Sequence, residues 1–214
     1  MTFLIFLGKI VQINVGRPKD LEKRQRILNA AKNLFLKCGY HGSSMNQIAQ
    51  EAGVTKLTIY NHFQDKANLF TCAIEKTCEE SISTRPLKLY ADSDFKKEFT
   101  QLCALALNIV NLPEAIKLEH LLMELASEQN PLALQFYNAS HAKLRAMWES
   151  FFRKAAELKF IQADEPKTQT ELIVSLLHGL RHHEVLLGVR AVPDAAQSQK
   201  IIEDAMGIFM LRYG

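Results

Sequence analysis

Residues able to hold a polyanion crowd into one short stretch of this chain. Thr55, Lys56, Thr58, Tyr60, Asn61 and His62 bring hydroxyls, a lysine, a phenol, an amide and an imidazole together. Such groups donate to phosphate oxygens and read base edges. Ile59 and Phe63 lie four apart and share the other side of a helix. A helix capped by Thr55 and running through about Phe63 therefore turns the polar tips outward or sideways, and Leu57 is expected to start its inner side. Its length and composition suit a DNA major groove, which is wide enough to admit a helix. Farther upstream is a basic arm of Arg17, Lys19, Lys23, Arg24 and Arg26, whose start Gly16 and Pro18 keep extended. Arg17 and Lys19 are expected to reach phosphates or a minor groove.

Two further helices must hold that short one. The first spans about Leu21 to Lys37, with Ile27, Leu28, Ala31, Leu34 and Phe35 at helical spacing and Gly39 just past its end. The second starts at Ser44, which forms with Gln47 the S-x-x-Q pattern of a capping box. Met45, Ile48, Ala49 and Ala52 give it an inward face, Gly53 closes the turn, and Val54 plugs the core between the two helices.

Charge follows the same division. Residues 1–66 carry ten Lys/Arg against four Asp/Glu, whereas residues 67–214 carry sixteen against nineteen. A basic front and a mildly acidic back suit a chain whose front meets a polyanion. Residues 1–15, MTFLIFLGKIVQINV, are greasy but too short to span a bilayer, and they lack the charged start and cleavage site of a signal peptide. They read as an N-terminal extension or a misassigned start. No longer apolar run indicates a membrane span. Cys38, Cys72, Cys78 and Cys103 form no CxxC pair and no zinc-finger spacing. They read as reduced, cytoplasmic thiols.

The remainder reads as helix punctuated by proline. Expected helices cover about Ala67–Ser83, Asp94–Asn111, Pro113–Glu128, Pro131–Lys159, Lys167–Leu187 and Asp194–Arg212. No stretch alternates with period two long enough to demand a strand, so the fold class is all-α. No G-x-S-x-G, P-loop or H-E-x-x-H is present, which argues against an enzyme. Glu119, His120 and Glu124 read as a solvated or pocket-lining patch.

LEKRQRILNAAKNLFLKCGYHGSSMNQIAQEAGVTKLTIYNHFQDKANLF resembles the DNA-binding domain of the TetR/AcrR-type transcriptional regulators. The features in register are ILNAA-x-x-LF, GY before the serine pair, IA-x-x-AGV, T-x-x-x-IY-x-HF, and Lys66 three residues after Phe63. The resemblance implies that Ser44 caps its helix against a phosphate, that Asn46 reaches a base or phosphate, and that Thr55, Lys56 and Thr58 open a recognition helix. It also implies that Tyr60 and His62 grip the backbone and that Lys66 contacts phosphate. Leu57, Asn61 and Asn46 depart from residues frequent at those positions, which leaves the operator sequence open.

The resemblance further implies an N-terminal helix-turn-helix DNA-binding domain, residues 16–66, followed by a helical effector-binding and dimerisation domain, residues 67–214. Homodimerisation would use the last two helices. A double-stranded, palindromic operator and a small-molecule effector are the implied partners. Function would be that of a ligand-released regulator of repressor type, acting in the cytoplasm without cofactor or metal. Phe99, Cys103, His120, Met123, Phe136 and Trp148 are the apolar or polar positions expected to include the pocket lining. His178 and His182, four apart with His183 adjacent, have metal-compatible spacing but no third ligand nearby, and read as part of a polar dimer interface. The competing readings are a small-molecule-binding helical protein or enzyme with a merely structural front, and a protein–protein adaptor.

Overall fold

The computed structural model describes residues 18–82 and 89–214, with backbone alone for 18, 19 and 78–82. The expected extension over residues 1–15 therefore lies outside the described residues. Ten helices and no strands occur among them: α1 (Pro18–Gly42), α2 (Met45–Ala52), α3 (Lys56–Phe63), α4 (Lys66–Ile82), α5 (Phe95–Val110), α6 (Pro113–Ser127), α7 (Leu132–Ala139), α8 (His141–Glu157), α9 (Pro166–Leu186) and α10 (Ala195–Tyr213). No single helix among the described residues is long and apolar enough to cross a membrane.

Local chemistry accounts for the front of the chain. Helix α1 leaves helical geometry at Gly39, where φ is 74°. The buried Ser43 hydroxyl donates to the carbonyls of Gly39 and Leu34 at 2.7 and 3.1 Å, tying the turn back onto α1. Ser44 and Gln47 form both halves of the capping box of α2, and Gly53 ends that helix in the left-handed conformation. Thr55 caps α3 by accepting from the Thr58 amide at 3.2 Å. Asp65 does the same for α4 through the Asn68 amide at 2.7 Å.

The expected single helix from Pro131 to Lys159 is two helices. The break falls at Ser140, whose hydroxyl is 2.8 Å from both the Phe136 carbonyl and His141 Nδ1. A serine that bonds the preceding turn offers the backbone an alternative to continued helix, and periodicity alone does not register it. Helix α9 is likewise interrupted, at Gly179, with φ 48° and ψ −154°. That backbone region is open essentially to glycine only. Arg181 donates from its guanidinium to the Leu177 carbonyl beside the break.

Two cores result. One joins the buried faces of α1–α4 to Leu118, Leu121 and Leu125 of α6 and to Leu132, Phe136 and Ala139 of α7. It does not stop at residue 66. Phe70 lies at its centre, 5.1 Å from the Phe35 ring, 5.3 Å from Tyr40 and 6.1 Å from Phe136. Lys32–Glu114 at 3.4 Å and His41–Glu128 at 2.7 Å flank the same junction. The other core gathers Phe99, Trp148, Phe152 and Phe209 from α5, α8 and α10 with Ile173 and Leu177 of α9. The Tyr213 hydroxyl donates to Asp164 Oδ2 at 3.0 Å and holds the end of α10 beside the α8–α9 turn.

Phe70 is fully buried, so Phe70→Ala is expected to lower stability by about 3–5 kcal/mol. The exposed Tyr90→Ala should stay within about 0.5 kcal/mol of the parent. Urea denaturation of both variants checks this, and a Phe70→Ala loss below about 1 kcal/mol would show that the ring is not central.

Candidate functional site

The outer surface of the front helices is polar where it was expected to be. Ser44, Asn46, Thr55, Lys56, Tyr60 and Asn61 are exposed, and Thr58 is partly so. The hydroxyls of Thr55 and Thr58 lie 2.8 Å apart at the start of α3, and Lys56 Nζ sits 5.9 Å over the Tyr60 ring. Lys66, at the start of α4, holds its ammonium 4.4 Å over the Tyr40 ring, and partial burial lowers its pKa. Arg17 lies outside the described residues, as does the side chain of Lys19.

Two positions differ from expectation. Leu57 is 69% exposed rather than inward. Ile59 and Phe63 are the buried residues of α3, and a residue two before Ile59 is turned about 200° around the helix from it. His62 faces back onto α1, with Nε2 3.3 Å from Asp20 Oδ1 and a side chain only 15% exposed. It props α3 on α1 instead of standing free with Tyr60.

The second feature is a cavity of about 360 Å³ between α4, α5, α6, α7, α8 and α9. Its walls are mostly apolar, with Ile109, Leu118, Phe136, Leu144, Trp148 and Val174 prominent. Of the six residues expected to line a pocket, Phe136 and Trp148 do so. Phe99 and Cys103 do not, because their faces of α5 are turned fully into the second core. Burial there pushes the Cys103 thiol strongly upward. His120 is exposed and donates from Nε2 to the Leu186 carbonyl at 2.7 Å. Met123 is 47% exposed. Helix α6 presents Ala115, Leu118 and Glu119 to the cavity, which leaves those two side chains outside its lining.

The sequence reading missed the α9 part of this lining, whereas Glu119, read as solvated or pocket-lining, does line the cavity. Thr170, Val174, His178, His182 and Leu186 all face the cavity. They form an i, i+4 row along α9, a signal present in the sequence. His178 and His182 are thus not part of a polar outer interface. Their rings lie 5.3 Å apart, and His178 Nε2, His182 Nδ1 and the Thr170 hydroxyl are buried without a hydrogen-bond partner. Desolvation, followed by the charges of His182 and Arg181, pushes the His178 pKa down to about 4. Desolvation also lowers that of His182, against the opposing pull of Glu119. Beside them Glu119 Oε1 is 2.7 Å from His141 Nε2, and the His141 ring stacks on Tyr137 at 5.4 Å. Among the described residues no group of three or more His, Cys, Asp or Glu is placed to hold a metal ion.

Comparison with known proteins covers both parts. The model for bacterial regulatory proteins of the tetR family matches residues 27–71, and that for the AefR-like transcriptional repressor C-terminal domain matches residues 97–214. The HTH-type transcriptional activator FasR of Mycolicibacterium smegmatis is 36% identical over 66 residues, which is 31% of this chain and 30% of that protein. The HTH-type transcriptional regulator AcrR of Shigella flexneri is 48% identical over 50 residues, 23% of each. These alignments span less than a third of the curated relatives' length. Among solved structures, a TetR-family transcriptional regulator from Mesorhizobium loti superposes with a TM-score of 0.82 at 24% identity, covering 92% of this chain and all of the other. The flavonoid-responsive regulator FrrA gives 0.77 at 23% identity, covering 89% and 96%. At that identity the two structures establish the fold.

The buried imidazole makes a pH test available. Its folded pKa of about 4 lies below the ordinary 6.5, so the unfolded chain takes up the proton first. The stability that depends on neutral His178 is complete above pH 6.5 and is lost as pH falls towards 4. Thermal melts across that window should fall more steeply for the parent than for His178→Gln. Parallel curves would show that His178 is not held neutral by the fold.

Proposed function

The chain belongs to the TetR family of bacterial regulatory proteins, and from that premise we propose that it is a ligand-responsive, DNA-binding transcriptional regulator, acting in the cytoplasm as a repressor. One observation carries the reading. A capped helix-turn-helix with an exposed polar α3 shares its core with helices that wall a mostly apolar cavity. A surface for DNA and a chamber for a small molecule are mechanically joined.

In this reading each subunit lays α3 in a major groove. Ser44, Tyr60 and Lys66 hold phosphates, helped by the N-terminal arm with Arg17 and Lys19. Asn46, Thr55, Lys56, Thr58 and Asn61 are left to read base edges, and exposed Leu57 is available to touch a thymine methyl. His62 acts indirectly, by seating α3 on α1. A second copy of the chain docks along α9 and α10, whose Leu180 and Leu211 are 73% and 90% exposed, so that the two recognition helices match a palindromic operator. A molecule in the cavity favours a dimer geometry whose α3 spacing no longer fits. Such coupling is on the order of 1–3 kcal/mol.

A mobility-shift assay with DNA from upstream of the chain's own gene, repeated across salt concentrations, tests the reading. Lys66→Ala should weaken binding to all sequences and reduce the magnitude of the salt slope by roughly one per subunit. Lys56→Ala and Asn61→Ala should instead change which sequences are preferred. Failure to shift that DNA or any genomic fragment would overturn the regulator reading. For the dimer, Leu180→Asp combined with Leu211→Asp should halve the mass seen by light scattering. An unchanged mass would move the interface elsewhere.

A further inference from the structure

We propose that the cavity takes an uncharged aromatic molecule bearing a hydroxyl group, with the hydroxyl hydrogen-bonded among Thr170, His178 and His182 of α9. The inference rests on the reading of this cavity as the effector site and adds the chemical class of the effector.

The charges decide against an ion. Four charged side chains line the cavity, Glu114, Glu119, Arg145 and Glu171. Glu114 pairs with Lys32 at 3.4 Å, and Glu119 Oε1 lies 2.7 Å from His141 Nε2, a contact that is ionic only when that imidazole is protonated; Arg145 and Glu171 each have an opposite charge at 4.0 Å, Glu149 and Lys167 respectively. An ionic ligand would lose its hydration against mostly apolar walls, which is costly, and three of the four charged side chains, Glu114, Arg145 and Glu171, are themselves solvent-exposed. The polar atoms left without a partner are neutral ones, His178 Nε2, His182 Nδ1 and Thr170 Oγ1. A buried polar group lacking a hydrogen bond costs stability until something supplies one. Burial holds the imidazoles in their neutral form, in which one ring nitrogen donates and the other accepts. A hydroxyl both donates and accepts, so it satisfies either tautomer, whereas a carbonyl needs donors only. Trp148, Phe136 and Tyr137 supply ring faces and edges for an aromatic body. The volume of about 360 Å³ lies at the small end of ligand pockets, which suits two or so rings.

Trp148 is the only tryptophan in the chain and it lines the cavity, so its fluorescence reports occupancy. The probes are biphenyl-4-ol, biphenyl, biphenyl-4-carboxylate and the trimethylammonium derivative of biphenyl, titrated into the full chain with calorimetry as a second readout. Biphenyl-4-ol should bind at least tenfold more tightly than each of the other three. The near-isosteric Thr170→Val and, separately, His178→Leu should each weaken the phenol at least fivefold and leave biphenyl unchanged, with circular dichroism confirming that both variants are folded. Equal affinity for biphenyl, tighter binding of either ion, no binding of the phenol, or unaltered phenol affinity in both folded variants would overturn the proposal. Release of operator DNA is scored separately with the same phenol. Binding without release keeps the ligand class and removes the effector role, while absence of binding removes the ligand class and leaves the DNA-binding reading standing on its own assay.

Discussion

The architecture hangs on the packing of aromatic rings around Phe70. The three front helices, two of them only eight residues long, bury little surface by themselves, and a unit of that size is marginal when it stands alone. Here Phe35 and Tyr40 from α1 close on Phe70 of α4, and Phe136 of α7 completes the cluster. The front helices therefore draw part of their core from the back of the molecule. Tyr40 in turn lies under the Lys66 ammonium. The geometry at the start of α4 thus depends on contacts that continue into α6 and α7.

That sharing gives the cavity its significance. Phe136 belongs to the first core and also to the cavity wall. An occupant in contact with its ring would press on the same cluster that positions α4. Packed cores respond to such pressure by discrete rearrangement, because they are too dense to deform smoothly. Helix α9 contributes differently. Its interruption at Gly179 lies between His178 and His182, within the row that faces the chamber, while Leu180 projects to the outside. One helix thereby meets both the chamber and the surface proposed for a second subunit.

The electrostatics fit the same division of labour. The charged groups around the chamber have polar neighbours, Lys32 for Glu114 and His141 for Glu119, and the unpaired polar atoms inside are on uncharged groups. On the front, by contrast, Lys56 and Asn61 stand exposed, available to a partner that brings its own charge. A buried polar atom without a hydrogen bond costs stability, and a ligand that supplied the bond would recover that cost.

Much of this was legible in the amino-acid order, and the reason is locality. The Ser44–Gln47 capping box, the Thr55 cap, the left-handed turn at Gly53 and the inward Ile59 and Phe63 each depend on residues within a turn of one another, so spacing alone determined them. The string around α2 and α3 likewise sufficed to point to its family. What spacing did not settle was which apolar face meets which neighbour. Phe99, Phe136 and Trp148 look alike in the sequence, yet packing sends Phe99 into a solid core and the other two to a chamber wall. The break at Ser140 splits an apparently continuous helix, and His178 and His182 turn inward because α4–α8 leave room on that side of α9. Those outcomes come from contacts between segments tens of residues apart. Only the tertiary structure decides them, because a helix's own periodicity defines its faces without saying what each face will touch.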